Sequence, residues 1–339
     1  MTGLGRLPVV FPPEIDERLS SWFARMAAFY AMTVPEFLGE LGLLQRDVFD
    51  LEWRLSAGEG ALIAARTGVS EVALQAMTFQ EITPDARIMI ARKTRHHCPS
   101  CPADVHRKAP SFPWMFQCPI HSIDFRDVGG AILPDILGSA HLAALQSHAK
   151  TGAAVLDSWA RGEGQGAFGP VEMLLFLTTR HRRASPPNVS EQPRMSLGTR
   201  RDYHAFLTTP IIRQALAVIV PEYDHVAPVL VKPVRPGLHA LAQGSLLQAF
   251  ALTVGIGRIA EDPVARVIKV LLASDADGQE RVKDVLRAWP LSVRRRISAR
   301  LWRAERDERV RQTAEKAARG RQSHKLRYVQ SHKCRYRIS

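Results

Sequence analysis

Three of the four cysteines and one of the twelve histidines fall into a single pattern: Cys98-Pro-Ser-Cys101, then sixteen residues, then Cys118-Pro-Ile-His121. Two residues between ligands let a tight turn, a knuckle, aim both side chains at one ion. Two knuckles brought together complete a tetrahedron. Three thiolates and one imidazole suit Zn²⁺ at about 2.0–2.3 Å from each donor. A redox C-x₂-C needs no second pair, and a βαβ setting for one is missing. With all four positions taken by protein ligands, no place is left for a substrate water. The expected cofactor is therefore one structural zinc ion, holding a segment too small for its own core. Phe112, Trp114 and Phe116 are expected to pack beside it. His96, His97 and His106 read as surface histidines, and Cys334 as incidental.

Other reactive constellations are missing. The chain has no G-x-x-x-x-G-K-[ST], G-x-S-x-G or H-E-x-x-H. Gly255-Ile-Gly257 with Ala260 fits G-x-G-x-x-A on paper, but a helical pattern precedes it where a dinucleotide site needs a strand. Asp47 and Asp50 read as solvated helix caps, with nothing to frame them as a two-metal nuclease pair. No catalytic residue is assigned, and the expectation is a protein that is not an enzyme.

The elements that must position the knuckles are mostly helical. Residues 4–13 read as an extended lead-in. Leu19, Trp22, Phe23, Met26 and Phe29 then mark one buried helix face. Thr33 and Glu36 form a capping box around Pro35, opening a short helix that Gly42 ends. Residues 60–79 read as a helix-turn-helix-like element: a helix over 61–67, Gly68 in the turn, Ser70 as cap, and a second helix over 71–77. Gln75 faces outward on that second helix as a candidate base reader, while Glu71 would repel phosphate. Helices are further expected over 135–148, 170–179, 203–220, 238–253, 263–273 and 279–289, with linkers at 162–169 and 185–198. The fold class is mainly α. Its expected parts are an N-terminal helical domain (1–93), a zinc-knuckle module (94–130), a C-terminal helical domain (131–290), and a basic helix with a disordered tail (291–339).

The 339-residue chain has 46% apolar residues, enough for a sizeable core, and too few cysteines for a disulfide scaffold. Its longest apolar runs fall well short of the ~20 residues of a membrane helix, and its start lacks the order of a signal peptide. No membrane partner is expected, and the cytoplasm is the default compartment. The net charge of +13 is concentrated at one end: residues 291–339 hold 16 Lys/Arg against 4 Asp/Glu, leaving 30 against 29 elsewhere. Arg294, Arg295, Arg296, Arg300 and Arg303 form the densest part, on a helix over 292–319 with Val293, Ile297, Leu301 and Trp302 on one face. Such a segment is a handle for a polyanion, with nucleic acid the first expectation and an acidic protein surface the second.

Several stretches resemble one family. Leu7-Pro8, Pro12-Pro13 and the run Glu17-Arg-Leu-Ser-Ser-Trp22-Phe-Ala-Arg25-Met26-Ala27 look like the opening of TniQ proteins. The 61–77 element, ending Met77-Thr78-Phe79, is similar to the segment that follows there. The two knuckles, prolines included, resemble the family's C-P-x-C…C-P-x-H pair. Pro102 stands where a leucine is usual, and Asp104 is a shifted match to the acid after it. Trp114 fits the Trp that packs on the family's knuckles, and Arg107 is a looser match to its Arg. The resemblance spans Leu7 to about Gly130.

It implies an accessory factor of bacterial DNA transposition, a target-selection adaptor working beside a DDE transposase and an AAA+ ATPase. It places Cys98, Cys101, Cys118 and His121 as zinc ligands. It also implies DNA or an RNA-guided complex as partner, and homodimers among some members. Two other readings stand beside it: a free-standing helix-turn-helix regulator, and a nucleic-acid enzyme with an unrecognised site.

Overall fold

The computed structural model describes residues 5–94, 96–127, 129–130, 132–163, 168–184, 211–224, 226, 235–304 and 306–307. The architecture is mainly helical, with two short two-stranded antiparallel sheets among the described residues.

The lead-in, Gly5 to Glu14, forms neither helix nor strand and is pinned to helix α1 (Leu19–Phe29). Trp22 Nε1 donates to the Phe11 carbonyl at 2.9 Å, and the Tyr30 hydroxyl donates to the Val9 carbonyl at 2.7 Å. Leu19, Trp22, Phe23 and Met26 are wholly buried. Phe29, expected on the same face, is 49% exposed. It is the last residue of the helix, and there it meets Phe11 edge-on, ring centroids 4.9 Å apart.

Helix α2 (Val34–Glu40) starts on the expected Thr33–Glu36 capping box, and Gly42 follows it with φ +85°. Asp47 caps α3 (Val48–Trp53) by accepting from the Phe49 N–H, a cap role as expected. Helix α4 (Ala57–Thr67) begins four residues before the expected start, because Ser56 and Glu59 form a second capping box. Gly68 takes the left-handed conformation at φ +77°, and Ser70 caps α5 (Glu71–Ala76). The helix-turn-helix-like hairpin is thus in place. Ile63 and Leu74 drop from it into a first apolar core with Leu19, Trp22, Phe23, Phe37 and Leu51.

A second, larger core starts at Phe79 and runs to Ile297. Where one helix was expected over 135–148, Gly138 (φ +78°) breaks the chain into α6 (Leu133–Leu137) and α7 (Ser139–Ala160). Helix α8 (Pro170–Leu177) follows. The expected helix over 203–220 is corrected: residues 203–210 lie outside the described ones, and Ile211–Gln214 is strand β4, paired antiparallel with β3 (Arg180–Ala184). β-Branched Ile211 and Ile212 favour that state. Only Ala215–Ile219 is helical.

The expected 238–253 helix is two, Leu238–Gln243 and Leu246–Glu261, separated at Gly244 and restarted by the Ser245 cap. The second is buried nearly all round and forms the axis of this half. Its Gly255 and Gly257 belong to helix–helix packing. A Cβ on Gly257 would enter the His148 backbone of α7, and one on Gly152 of α7 would enter the Thr253 backbone. Gly255 and Gly257 both lie inside the Leu246–Glu261 helix, with no strand leading into them, so the dinucleotide pattern is accidental. Pro263–Ala273 is helical as expected, and the last expected helix lies at Ala276–Leu286, capped by Asp275.

The basic segment is helical over 291–304 and at 306 and 307. It docks on the second core through Val293, Ile297 and Leu301, four residues apart on one face. Trp302, expected with them, points outward at 58% exposure, a correction that follows from its place one residue past the docking line. The remainder of the expected 292–319 helix and the tail, with Cys334, lie outside the described residues, as does the linker over 185–198.

Candidate functional site

Each knuckle is closed by its own backbone. The Cys101 N–H donates to the Cys98 carbonyl at 3.2 Å, and the Ser122 N–H to the Cys118 carbonyl at 2.8 Å. Ser122 turns the second knuckle with φ +55°. The two are joined at their bases by β1 (His96–His97) and β2 (Arg126–Asp127), with His96 opposite Asp127. A bridge between Gln117 and Asp124, whose side chains hydrogen-bond at 2.9 Å, tightens the second loop.

This brings Cys98, Cys101, Cys118 and His121 together, with all four donor atoms within 4.8 Å of one another. His121 Nδ1 lies 3.4, 3.5 and 3.6 Å from the three sulfurs of Cys98, Cys101 and Cys118. The Cys101 and Cys118 sulfurs are 3.8 Å apart. An ion bound tetrahedrally at ~2.3 Å from sulfur and ~2.0–2.1 Å from nitrogen has S–S edges of about 3.8 Å and S–N edges of about 3.6 Å. The three S–N edges and the Cys101–Cys118 edge therefore have the lengths of such a tetrahedron, and the four side chains are placed so that they could hold one metal ion.

The protein's own surroundings move the Cys101 and Cys118 thiols in opposite directions. Burial and the neighbouring thiols push the Cys101 thiol up to about 11 against the pull of Arg107. Burial also works upward on Cys118, but the backbone N–H groups of His121 and Ile120 outweigh it and bring that thiol down to about 7. A divalent cation at the centre would lower all three.

Arg107 reaches the site from outside. It is buried, with Nε 3.1 Å from Cys101 Sγ and Nη1 donating to the Ile15 carbonyl. Residues 106–109 are laid against the start of α1. The Arg18 N–H donates to the His106 carbonyl, the His106 N–H to Ser21 Oγ, the Lys108 N–H to the Asp16 carbonyl, and the Ala109 N–H to the Asp16 carboxylate, all at 2.7–2.9 Å. Burial pushes the Asp16 carboxyl above its ordinary value, against the Ala109 hydrogen bond and Lys108.

Three expectations about the surroundings change. Phe112 and Trp114 belong to the second core, and Phe116 meets Phe250 edge-on at 5.1 Å. The aromatic that packs with the cysteines is Phe125, 1% exposed. His96 is buried and lies 3.9 Å from the Asp127 carboxylate, whereas His97 and His106 are exposed as expected. Asp16, Ser21 and Phe125 carried no local pattern, since each acts through a partner distant in sequence.

None of the candidate nucleic-acid residues lines the cavity beside the cysteines. Arg295, Arg296, Arg300 and Arg303 are exposed on the 291–304 helix, and Arg294 is half-buried. Gln75 is exposed on α5, over the first core. Among the described residues no helix is long and apolar enough to cross a membrane.

No curated protein and no solved structure matches the chain. The TniQ family model matches residues 8–124, a span that runs from the lead-in through both knuckles and includes α1 to α5 and all four ligands. The chain carries a TniQ domain, the mark of a transposition-associated accessory protein.

Proposed function

We propose that this protein is a non-catalytic targeting adaptor of DNA transposition, stabilised by one structural zinc ion, that binds DNA or a guide nucleoprotein complex and recruits an AAA+ ATPase with its transposase. The observation that carries the reading is the TniQ domain over residues 8–124, with its four donors at tetrahedral spacing. Zinc is the ion of choice for three thiolates and one imidazole. A filled shell makes it a brace: it fixes the knuckles that hold residues 106–109 against α1.

The four parts, 1–93, 94–130, 131–290 and 291–339, then divide the labour. The TniQ region offers surfaces to partner proteins. The helical body positions the basic helix, and Arg294, Arg295, Arg296, Arg300 and Arg303 neutralise phosphates. Gln75 offers an amide to a base edge, but α5 carries no cation, so a free-standing helix-turn-helix regulator is the weaker reading.

The test is a fluorescence-anisotropy titration of the full chain against target-site and scrambled duplexes at several salt concentrations, followed by co-purification with an AAA+ transposition ATPase. The adaptor reading expects salt-steep, sequence-blind binding and a stable complex with the ATPase. Sequence preference that persists at high salt, with no ATPase complex, would instead favour the regulator. Magnesium-dependent cleavage of the duplex would overturn both. Removing residues 291–339 should flatten the salt dependence, because those cations release counterions.

A further inference from the structure

Trp302 is the most open of the six tryptophans. It is 58% exposed, while Trp22, Trp114 and Trp289 are at most 1% exposed and Trp53 and Trp159 are half-buried. Its helix already has a complete docking face in Val293, Ile297 and Leu301, so the indole has no part in holding the helix down. Its flanks are cationic. The Arg306 guanidinium lies 5.6 Å over the Trp302 ring, and Arg295, seven residues earlier, falls on the same line of the helix. Arg296, Arg300 and Arg303 continue the positive surface round the adjoining face, all of them exposed.

A flat aromatic face set among guanidinium groups matches one ligand chemistry well: a base with its face uncovered, on a strand whose phosphates lie to either side. In a duplex the base faces are hidden in the stack. In a single strand they are free, and an indole stacks on any of them with little regard to sequence. An acidic protein surface would satisfy the arginines but would leave the indole in water.

We propose that Trp302 is a stacking platform for an unpaired base, and that the 291–304 helix therefore binds single-stranded nucleic acid in preference to duplex. This rests on the reading of that helix as a polyanion contact. The arginines supply the salt-dependent part of the affinity and Trp302 the part that is independent of salt.

The experiment uses the full chain and an oligo-dT of about 20 nucleotides, long enough to cover one such site, with a duplex of equal length as comparison. Three variants are compared with the wild type: Trp302→Ala, Trp302→Phe, and the combined Arg295→Glu, Arg296→Glu, Arg300→Glu. The proposal expects Trp302→Ala to weaken oligo-dT binding roughly five- to a hundred-fold, the range for a lost base stack. It also expects unchanged duplex binding, an unchanged salt slope, and substantial recovery with Trp302→Phe. Oligo-dT should quench the tryptophan emission of the wild type, and the quenching should be absent in Trp302→Phe. Wild-type affinity in Trp302→Ala, or an equal loss on duplex, overturns the proposal. If the arginine variant also binds both nucleic acids like the wild type, the polyanion reading itself falls. If that variant loses both while Trp302→Ala loses neither, only the stacking role falls.

Discussion

The guanidinium of Arg18 lies edge to edge with the carboxylate of Glu52, Nη2 to Oε2 at 2.6 Å and Nε to Oε1 at 3.1 Å, with neither side chain more than 4% exposed. The same guanidinium gives Nη1 to the carbonyls of Ala91 and Arg92, and the same carboxylate accepts from the Ser20 N–H. One ion pair thus joins the start of α1, helix α3 and the strand of chain entering the knuckles. Removing one charge from such a pair strands the other in a medium of low dielectric. Glu52→Gln should cost about 3–5 kcal/mol, read as a lower urea midpoint at unchanged slope. The double variant Arg18→Met, Glu52→Leu should not restore stability, because two carbonyls and one N–H lose their partners with it. A midpoint equal to the wild type in either would show the pair to be ornamental.

Ligand removal has a sharper readout. Cys98→Ser and Cys118→Ser should each take the metal content of the purified protein from one ion to none, measured by atomic emission, and lower the melting temperature. Retention of stoichiometric metal with an unchanged melt would mean the ligands are assigned wrongly.

Arg107 would act on a bound metal through Cys101. Its positive charge 3.1 Å from the sulfur favours the thiolate, and its anchor on Ile15 fixes the geometry. Arg107→Ala should weaken metal affinity about 10- to 100-fold, as loss of an outer partner of a ligand generally does. Competition with a chromogenic chelator measures it. Arg107→Lys keeps the charge but not the fork, so it should fall between the two.

His181 makes the stability of the C-terminal half depend on pH. It is 2% exposed, and burial, with Arg182 adding, lowers its pKa to about 4 from 6.5. Its folded-state value is below its unfolded one, so the unfolded chain binds the proton first. This contribution is complete above about pH 6.5 and is lost as pH falls toward 4, by an amount on the order of 3 kcal/mol. Melting temperatures between pH 7 and 4.5 should fall less steeply in His181→Gln than in the wild type.

Glycines in two helices should respond to alanine with opposite signs. Around Gly58 in α4 there is open space, so Gly58→Ala should gain up to about 1 kcal/mol from helix propensity. Gly257→Ala gains the same propensity but forces a methyl into the backbone at His148, and overpacking of that kind costs about 1–3 kcal/mol. Chemical denaturation of the two variants side by side tests the sign of each.

Much of this was legible where the signal is local. Thr33 with Glu36, Gly68 and Ser70 mark helix ends because a cap is satisfied within four residues of itself. The C-x₂-C and C-x₂-H pairs were legible for the same reason: each knuckle is a single turn. Ser56 and Glu59 carry an equally local box, four residues ahead of the start at Ala61 that the sequence reading gives α4. Trp114 departs from its expected place for a physical reason. Its closeness in sequence to Cys118 suggested a neighbour, but a large indole goes where the most apolar surface is, and that is the second core. Arg107 on Cys101, Arg18 on Glu52 and β4 on β3 depend on segments that meet only when the chain is folded, and no spacing announces them.

Gly152 and Gly257 let α7 and the Leu246–Glu261 helix touch main chain to main chain. An angle between helices set by side chains can be retuned by any substitution that swells or shrinks one of them. An angle set by peptide groups cannot, because every residue supplies the same ones. The C-terminal half is thus built on a fixed hinge pin, and the sequence of its outer faces is free to follow the demands of whatever it meets while the frame beneath keeps one shape.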